Sequence, residues 1–291
     1  MAELDYSTGK SISLPTELSS EIIQKTQEGS AIMQLARQVD LPGNGQTIPV
    51  ITGDPEASWT GETDKRKVSH GTLDTKVMRP YALSVIVPFS NKFKRDASAL
   101  YDAIVARIPN ALAQKFDATV MGNGDKPGSD FDTFKDVTQR VLDTSNAYDQ
   151  LVEADTDVSA NGGLTNGFVL SPQARAVFLK SKDKEDRPLF VNSVAEGAIP
   201  MLLGSRVTMS KGVYVKGDPN NVIGVVGDWT QAMYGTVEGV EVTLADQASL
   251  TDGETTINLF QQGMFAVKAE IELGFRADTT VFNTLSVAKN K

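Results

Sequence analysis

The 291-residue chain contains no cysteine and only one histidine, His70. The absence of cysteine excludes disulfides, thiolate metal sites and cysteine nucleophiles, and it is typical of a protein that folds in a reducing compartment. His70 lies at the predicted tip of an exposed hairpin, where nothing would fix its tautomer, so a catalytic triad or a histidine base is disfavoured. We therefore expect no catalytic, cofactor-binding or metal-binding residues.

Positive charge and long hydrophobic runs are also scarce. The chain has 28 Lys and Arg against 37 Asp and Glu, a net charge of −9, which disfavours a general nucleic-acid binder. The longest apolar stretch, YALSVIVPF, is far shorter than the ~20 residues of a membrane-spanning helix. The N-terminal residues MAELDYSTGKSISLP lack the pattern of a secretory signal. With 40% apolar residues, the sequence predicts a soluble globular protein of one large or two medium domains and no membrane partner.

Two loop-like stretches have the composition of ligand sites without the required residues. DTDVSANGG, residues 155–163, has Ala160 where a calcium loop requires glycine, and it is interpreted as a solvated acidic loop. GNGDKPG follows a helix and lacks the ending of a phosphate-binding loop. It is interpreted as a hinge between domains, formed by Gly122, Gly124, Pro127 and Gly128. The nearby acids Asp125, Asp130 and Asp132 are interpreted as loop solvation.

Hydrophobic periodicity predicts several helices and strands. Two short helices are expected on either side of Gly29, and a long helix over 94–121, in which Pro109 should cause a kink or a split. Residues 134–152 predict a further helix, GFVLS a buried strand, and SPQARAVFLKSK a helix capped by Ser171. Short strands follow, and the C-terminal section combines β-strands with a helix around 258–265.

Two alternating β-segments, QTIPVIT and YALSVIVPF, flank the charged stretch WTGETDKRKVSHGTLDTKV. If they pair, the hairpin reaches roughly 50 Å at ~3.3 Å per residue, and a two-stranded ribbon of that length is marginally stable alone. Its basic run, 65–67, is shorter than a nucleic-acid patch. Two interpretations stay open: a surface hairpin kept soluble by its charges, or a segment that lies on something else.

The order of these elements resembles the major capsid proteins of tailed bacteriophages with the HK97-type fold. GFVLSPQARAVFLKSKDKEDRPLF is similar to a strand, Ser-Pro, helix and Pro-Leu segment of that family. LLGSRVTMS and GDWTQAMYG resemble two further family motifs, and ELGFRADTTVFNTLSV resembles the strand that ends the peripheral domain.

The resemblance implies an α+β fold with four parts. Residues 1–30 would be an N-terminal arm and 46–90 an extended β-hairpin loop. Residues 31–45, 91–121 and 237–291 would form a discontinuous peripheral domain with the spine helix over 94–121, and 122–236 the axial α/β domain.

The resemblance also implies a structural, non-enzymatic function. The chain would assemble into pentamers and hexamers of an icosahedral head that encloses double-stranded DNA without sequence-specific binding, made in the bacterial cytoplasm and carried in the virion. Contacts with neighbouring copies would come from Trp59, Glu62, Asp64, Lys65, Arg66, Lys67, His70 and Lys76.

Further partners implied are a separate scaffolding protein, a portal and, as an option, decoration proteins. Some members join neighbours covalently through a loop lysine and an asparagine; Asn258 is the nearest candidate here, and non-covalent locking is expected. Two alternatives stay open: an encapsulin-type compartment shell, and an α/β enzyme with a site between its two domains.

Overall fold

The computed structural model describes residues 16–53, 58–60, 65–66, 68, 72–92, 97–182, 185, 187–190, 201–237, 240–252 and 255–289. The helices of this part are α1 (Thr16–Gly29), α2 (Ala97–Val120), α3 (Ala147–Ala160) and α4 (Pro172–Lys180). Its strands are β1 (Arg37–Asp40), β2 (Gln46–Gly53), β3 (Thr72–Met78), β4 (Tyr81–Ser90), β5 (Gln139–Leu142), β6 (Gly167–Leu170), β7 (Met201–Leu202), β8 (Ser205–Met209), β9 (Asn220–Gly227), β10 (Ala232–Thr236), β11 (Glu241–Ala245), β12 (Ser249–Asp252), β13 (Thr255–Asn258), β14 (Met264–Ala277) and β15 (Phe282–Ala288). No helix among the described residues is long and apolar enough to cross a membrane.

A five-stranded sheet is organised around the long strand β14. β10 and β11 pair with successive parts of one side of β14, β4 pairs with the other side, and β1 extends the sheet beside β10. The alternation predicted in YALSVIVPF is confirmed, since alternate side chains of β4 pack against the main core while Ile86 and its neighbours on the other face are exposed. This period-2 pattern is what a sheet with one covered face requires.

A six-stranded sheet has the order β5-β15-β9-β6-β8-β7. One face packs against α3 and α4 through a core that includes Leu151 and Phe178, and the other face contributes Val169 and Val225 to the main core. β6 is buried along its whole length, as predicted for GFVLS. The helix predicted after Ser171 is confirmed as α4, with Pro172 in its first turn.

α2 is the longest helix among the described residues and carries the predicted apolar stripe. Ile108, Leu112, Phe116 and Val120 recur every fourth residue and are buried in the main core. α2 also packs against α1. Pro109 lies inside a helix that runs from Ala97 to Val120, so the predicted split into two helices is wrong.

The predicted partner of QTIPVIT is also wrong. β2 pairs antiparallel with β3, in a register that joins Gln46 to Met78, and β4 pairs with β14. The apolar face of β4 is needed in the main core, so the hairpin is closed by the polar strand TLDTKVM instead.

Three predicted helices or loops differ from the structure. Residues 31–36 form turns and not a second helix, 139–142 form β5 ahead of the shorter α3, and 259–263 form a turn before β14. The stretch 155–163, predicted as an acidic loop, is largely the last part of α3. In each case tertiary contacts override a local apolar or acidic pattern.

Sheet membership also differs from the predicted grouping of the C-terminal residues. β15 pairs with β5 and β9 in the six-stranded sheet, although residues 237–291 were grouped with the spine helix. β10, grouped with 122–236, pairs with β1 and β14 in the five-stranded sheet. The chain therefore crosses between the two sheets at both places, which local periodicity does not reveal.

Candidate functional site at the hairpin

The β2–β3 hairpin is attached to the rest of the chain at the end of β3. The Lys76 ammonium donates a hydrogen bond of 2.8 Å to the backbone oxygen of Ala277 and lies 3.6 Å from the Asp132 carboxylate. The Arg276 Nε donates a 2.7 Å hydrogen bond to the backbone oxygen of Val77. The base of the hairpin is thus fixed to the last residues of β14.

A charged cluster around Arg276 strengthens this attachment. The Arg276 side chain is only 10% exposed and contacts Asp132 at 2.9 Å and Asp130 at 3.2 Å. Asp132 also accepts a 3.1 Å hydrogen bond from the backbone N–H of Ala277, and Arg79 lies 3.3 Å from Asp130. The interpretation of Asp130 and Asp132 as loop solvation is wrong, because both bind arginine; no local signal in the sequence pairs them with residue 276.

The glycine-rich segment after α2 leads into this cluster. Gly122, with φ of 81°, ends the helix by donating to the backbone oxygen of Thr119, and Gly124 has φ of 100°. Both values lie in the left-handed region that glycine adopts without strain. At Gly128 a Cβ atom would stand 2.2 Å from the Tyr81 hydroxyl, so only glycine fits there. The predicted hinge residues therefore include helix-capping and close-packing positions.

At the other end of the hairpin, the described side chains are exposed. Trp59 is as exposed as in an extended peptide, at 105%, and Val68, Lys65 and Arg66 are exposed as well. The other predicted contact residues of the tip lie outside the described residues: Glu62, Asp64, Lys67 and His70. Lys76 does not share their position, because it contacts its own chain at the base.

Asn258, the candidate for a covalent link, has a local hydrogen-bonding role. Its side-chain oxygen accepts a 3.1 Å hydrogen bond from the backbone N–H of Gln261, and its backbone oxygen accepts from Gln262. These bonds shape the turn between β13 and β14.

A buried carboxylate, missed in the sequence, connects α2 to the segment that follows α1. Asp117 is fully buried and accepts hydrogen bonds from the Ser30 hydroxyl at 2.6 Å and the Ala31 N–H at 3.1 Å. The Ile32 N–H, at 3.4 Å, and the Ser210 hydroxyl are further donors. Burial raises the pKa of Asp117 to about 6, and the four hydrogen bonds oppose that rise. These bonds explain why residues 31–36 turn instead of continuing as a helix.

Among the residues that the structure describes, no group of three or more His, Cys, Asp or Glu side chains could hold a metal ion. Comparison with known proteins gives a direct assignment. A family-wide sequence profile described as "Phage capsid family" matches residues 11–279. The chain belongs to this family.

Relatives and solved structures agree with the family match. The probable major capsid protein gp17 of Mycobacterium phage D29 is 27% identical over 281 residues, which cover 91% of this chain and 86% of the relative. The major capsid protein of Staphylococcus phage 80alpha is 25% identical over 289 residues, covering 96% and 86%. A chain from Microbacterium phage Oxtober96 superimposes with a TM-score of 0.70 at 17% identity, covering 99% of this chain and 96% of its own length.

The capsid protein therefore has the HK97-like fold and a structural function, not an enzymatic one. It is a major capsid protein of a phage and a component of the virion. The relatives named above are phage capsid proteins, which favours this assignment over an encapsulin-type shell or an α/β enzyme.

Proposed function

We propose that the capsid protein assembles into the pentamers and hexamers of an icosahedral head that encloses double-stranded DNA, and that its β2–β3 hairpin lies across a neighbouring copy. One observation carries the proposal: the hairpin is fixed to its own chain at the base by Lys76 and Arg276, while Trp59 at the far end is fully exposed. A tryptophan in water is an uncommon expense for a monomer, and tryptophan is enriched among residues that dominate binding energy.

The physical argument follows from the stability of the ribbon itself. A two-stranded hairpin is marginally stable in water, and the structure pairs β2 and β3 only with each other. Laying the ribbon on a second copy would cover both its apolar side chains and its unpaired edges. Obligate interfaces commonly bury more than ~2,000 Å², an area that a protruding ribbon helps to supply.

We assign the parts of the chain as the family resemblance implies. Residues 1–30 are the N-terminal arm, 46–90 the extended loop, and 122–236 the axial domain. Residues 31–45, 91–121 and 237–291 are the peripheral domain. The five-stranded sheet and α2 support the peripheral domain, the six-stranded sheet supports the axial domain, and β15 extends the axial sheet. Gly122, Gly124, Pro127 and Gly128 join the two.

The remaining partners belong to the same proposal. The net charge of −9 is compatible with DNA that is enclosed without sequence-specific binding, because a uniformly basic shell would hold DNA too tightly for release. A separate scaffolding protein, a portal and decoration proteins complete the proposed head, with non-covalent contacts between copies. Denaturing electrophoresis of purified heads checks the last point, since cross-linked copies would migrate as ladders.

The test is to remove the far end of the hairpin and keep its base. Replacing residues 54–71 by Asn-Gly joins Gly53 to Thr72, which already face each other, through a favoured two-residue turn. We expect the shortened protein to keep the thermal unfolding temperature of the wild type but to form no closed shells in sedimentation and negative-stain microscopy.

The matched control is Trp59→Ala in the full-length hairpin. It should leave monomer stability unchanged, since Trp59 makes no buried contact in the single chain, and raise the protein concentration needed for assembly. Normal shells from the shortened protein would contradict the proposed role of the hairpin.

A further inference from the structure

The turn between β7 and β8 carries an exposed leucine in an unfavourable backbone conformation. The register pairs Met201 with Arg206 and Leu202 with Ser205, so Leu203 and Gly204 are the two central residues of the hairpin turn. Their φ values are 47° and 78°, which define a primed turn in which both residues are left-handed. Leu203 is the one residue other than glycine with positive φ among the described residues.

Neither stability nor solubility explains a leucine at this position. Primed turns favour Asn or Asp at the first position, because a β-carbon followed by a branched side chain is disfavoured in the left-handed region. Leu203 is also 42% exposed, so burial in its own chain does not compensate. A strained residue that stays exposed indicates a function carried out by its side chain.

The surroundings of Leu203 form an apolar edge with positive charge. Met201 is 60% exposed and Met209 is exposed as well, on the strands that flank the turn. Methionine adapts to irregular surfaces and is common where proteins bind each other. Arg206 and Lys180 are exposed on the same side of the sheet order. We call Met201, Leu203, Arg206 and Met209 the turn edge.

The opposite edge of the same sheet has the complementary composition. β5 is the outermost strand there, and α3 packs beside it. Val141, Tyr148 and Val152 are exposed on these two elements. α3 contains four acids and no base, and Arg140 binds two of the acids, Glu153 and Asp157. We call Val141, Tyr148, Asp149 and Val152 the helix edge.

We propose that the turn edge of one copy docks on the helix edge of the next, with Leu203 as the apolar anchor. The two edges lie six strands apart on one sheet, so their contact joins unlike surfaces and leaves each copy with one free edge of each kind. Such head-to-tail contacts close into rings when the rotation permits. Opposite charges at the two edges favour this pairing over turn to turn or helix to helix. The inference rests on the proposed shell assembly and specifies which surfaces build its rings.

The decisive variant is Leu203→Asn, which separates stability from assembly. Asn-Gly is the preferred sequence of a primed turn, so the variant should unfold at the same or a higher temperature than the wild type. Loss of the apolar anchor should nevertheless weaken ring formation roughly tenfold or more, measured by sedimentation velocity over a concentration series. Leu179→Gln is the matched control. Leu179 is 39% exposed on α4, which lies over the middle strands, and its replacement should leave assembly unchanged.

A mixing experiment tests the pairing of unlike edges. Val152→Asp should block the helix edge and fail to form rings on its own. Mixed with Leu203→Asn, it retains one intact turn edge and the other variant one intact helix edge, so the mixture should form dimers and no rings.

The outcomes distinguish this inference from the proposed function. If the wild type forms no species above a dimer, the shell proposal fails first. If the wild type assembles and Leu203→Asn assembles at the same concentration, the turn edge is not the anchor and this inference alone is overturned. Normal rings from Val152→Asp would overturn the helix edge as its partner.

Discussion

Asp117 connects three parts of the chain through a single carboxylate. Its donors come from the segment after α1 and from Ser210, which follows β8. Removing the charge with Asp117→Asn puts an amide NH₂ where a backbone N–H points. We expect a loss of about 1–3 kcal/mol in the free energy of unfolding at pH 7.5, measured by urea denaturation.

The pH dependence of Asp117 has a definite sign. Its pKa is raised from 3.8 to about 6 in the folded protein, so the folded state binds the proton more tightly than the unfolded state. The resulting stabilisation is complete below pH 3.8 and is lost as the pH rises through about 6. Between pH 7 and pH 5 the wild type should therefore gain roughly 1 kcal/mol relative to Asp117→Asn. Parallel stability curves for the two proteins over this range would refute the assigned titration.

Arg276 is the second residue on which the account depends, because it joins the hairpin base to β14. Arg276→Met keeps the length of the side chain and removes its hydrogen bonds to Val77, Asp130 and Asp132. Since the arginine is largely buried and its acids are partly exposed, we expect a loss of roughly 2–4 kcal/mol, measured by chemical denaturation.

The control for this variant is Arg187→Met, whose ion pair with Glu185 lies on the surface. That pair should contribute at most about 1 kcal/mol. Equal losses from the two variants would mean that the cluster does not hold the hairpin base.

At the scale of elements, the sequence predicts strands and helices wherever a face is repeated over several turns or residues. The alternation of β4, the four-residue repeat of α2 and the buried run of β6 all belong to this class. The long hairpin was predicted too, but with the wrong second strand. Pairing depends on where the apolar face of β4 is buried, and that face belongs to a core built from distant residues.

The parts of the site that local patterns did not predict are polar and distant in sequence. Asp132 and Arg276 are separated by 144 residues, and Ser30 and Asp117 by 87. No periodicity relates such pairs, because the contact is created by the packing of whole sheets. The strain at Leu203 is equally hidden, since LLGS resembles an ordinary turn until its φ angles are known.

At the scale of the whole molecule, the fold divides stability from assembly. The main core joins α1, α2 and both sheets into one stable body. The hairpin tip, the turn edge and the helix edge instead expose apolar side chains, among them Trp59, Leu203 and Val152. Exposed apolar groups of this kind are typical of surfaces that are covered by a partner.

The central claim is that these surfaces are covered by further copies of the same chain. Sedimentation velocity combined with negative-stain microscopy of the purified full-length protein, over a range of concentration and salt, tests it most directly. The account predicts rings of five or six copies and closed shells under at least one assembly condition. Species no larger than a dimer under every condition would contradict it.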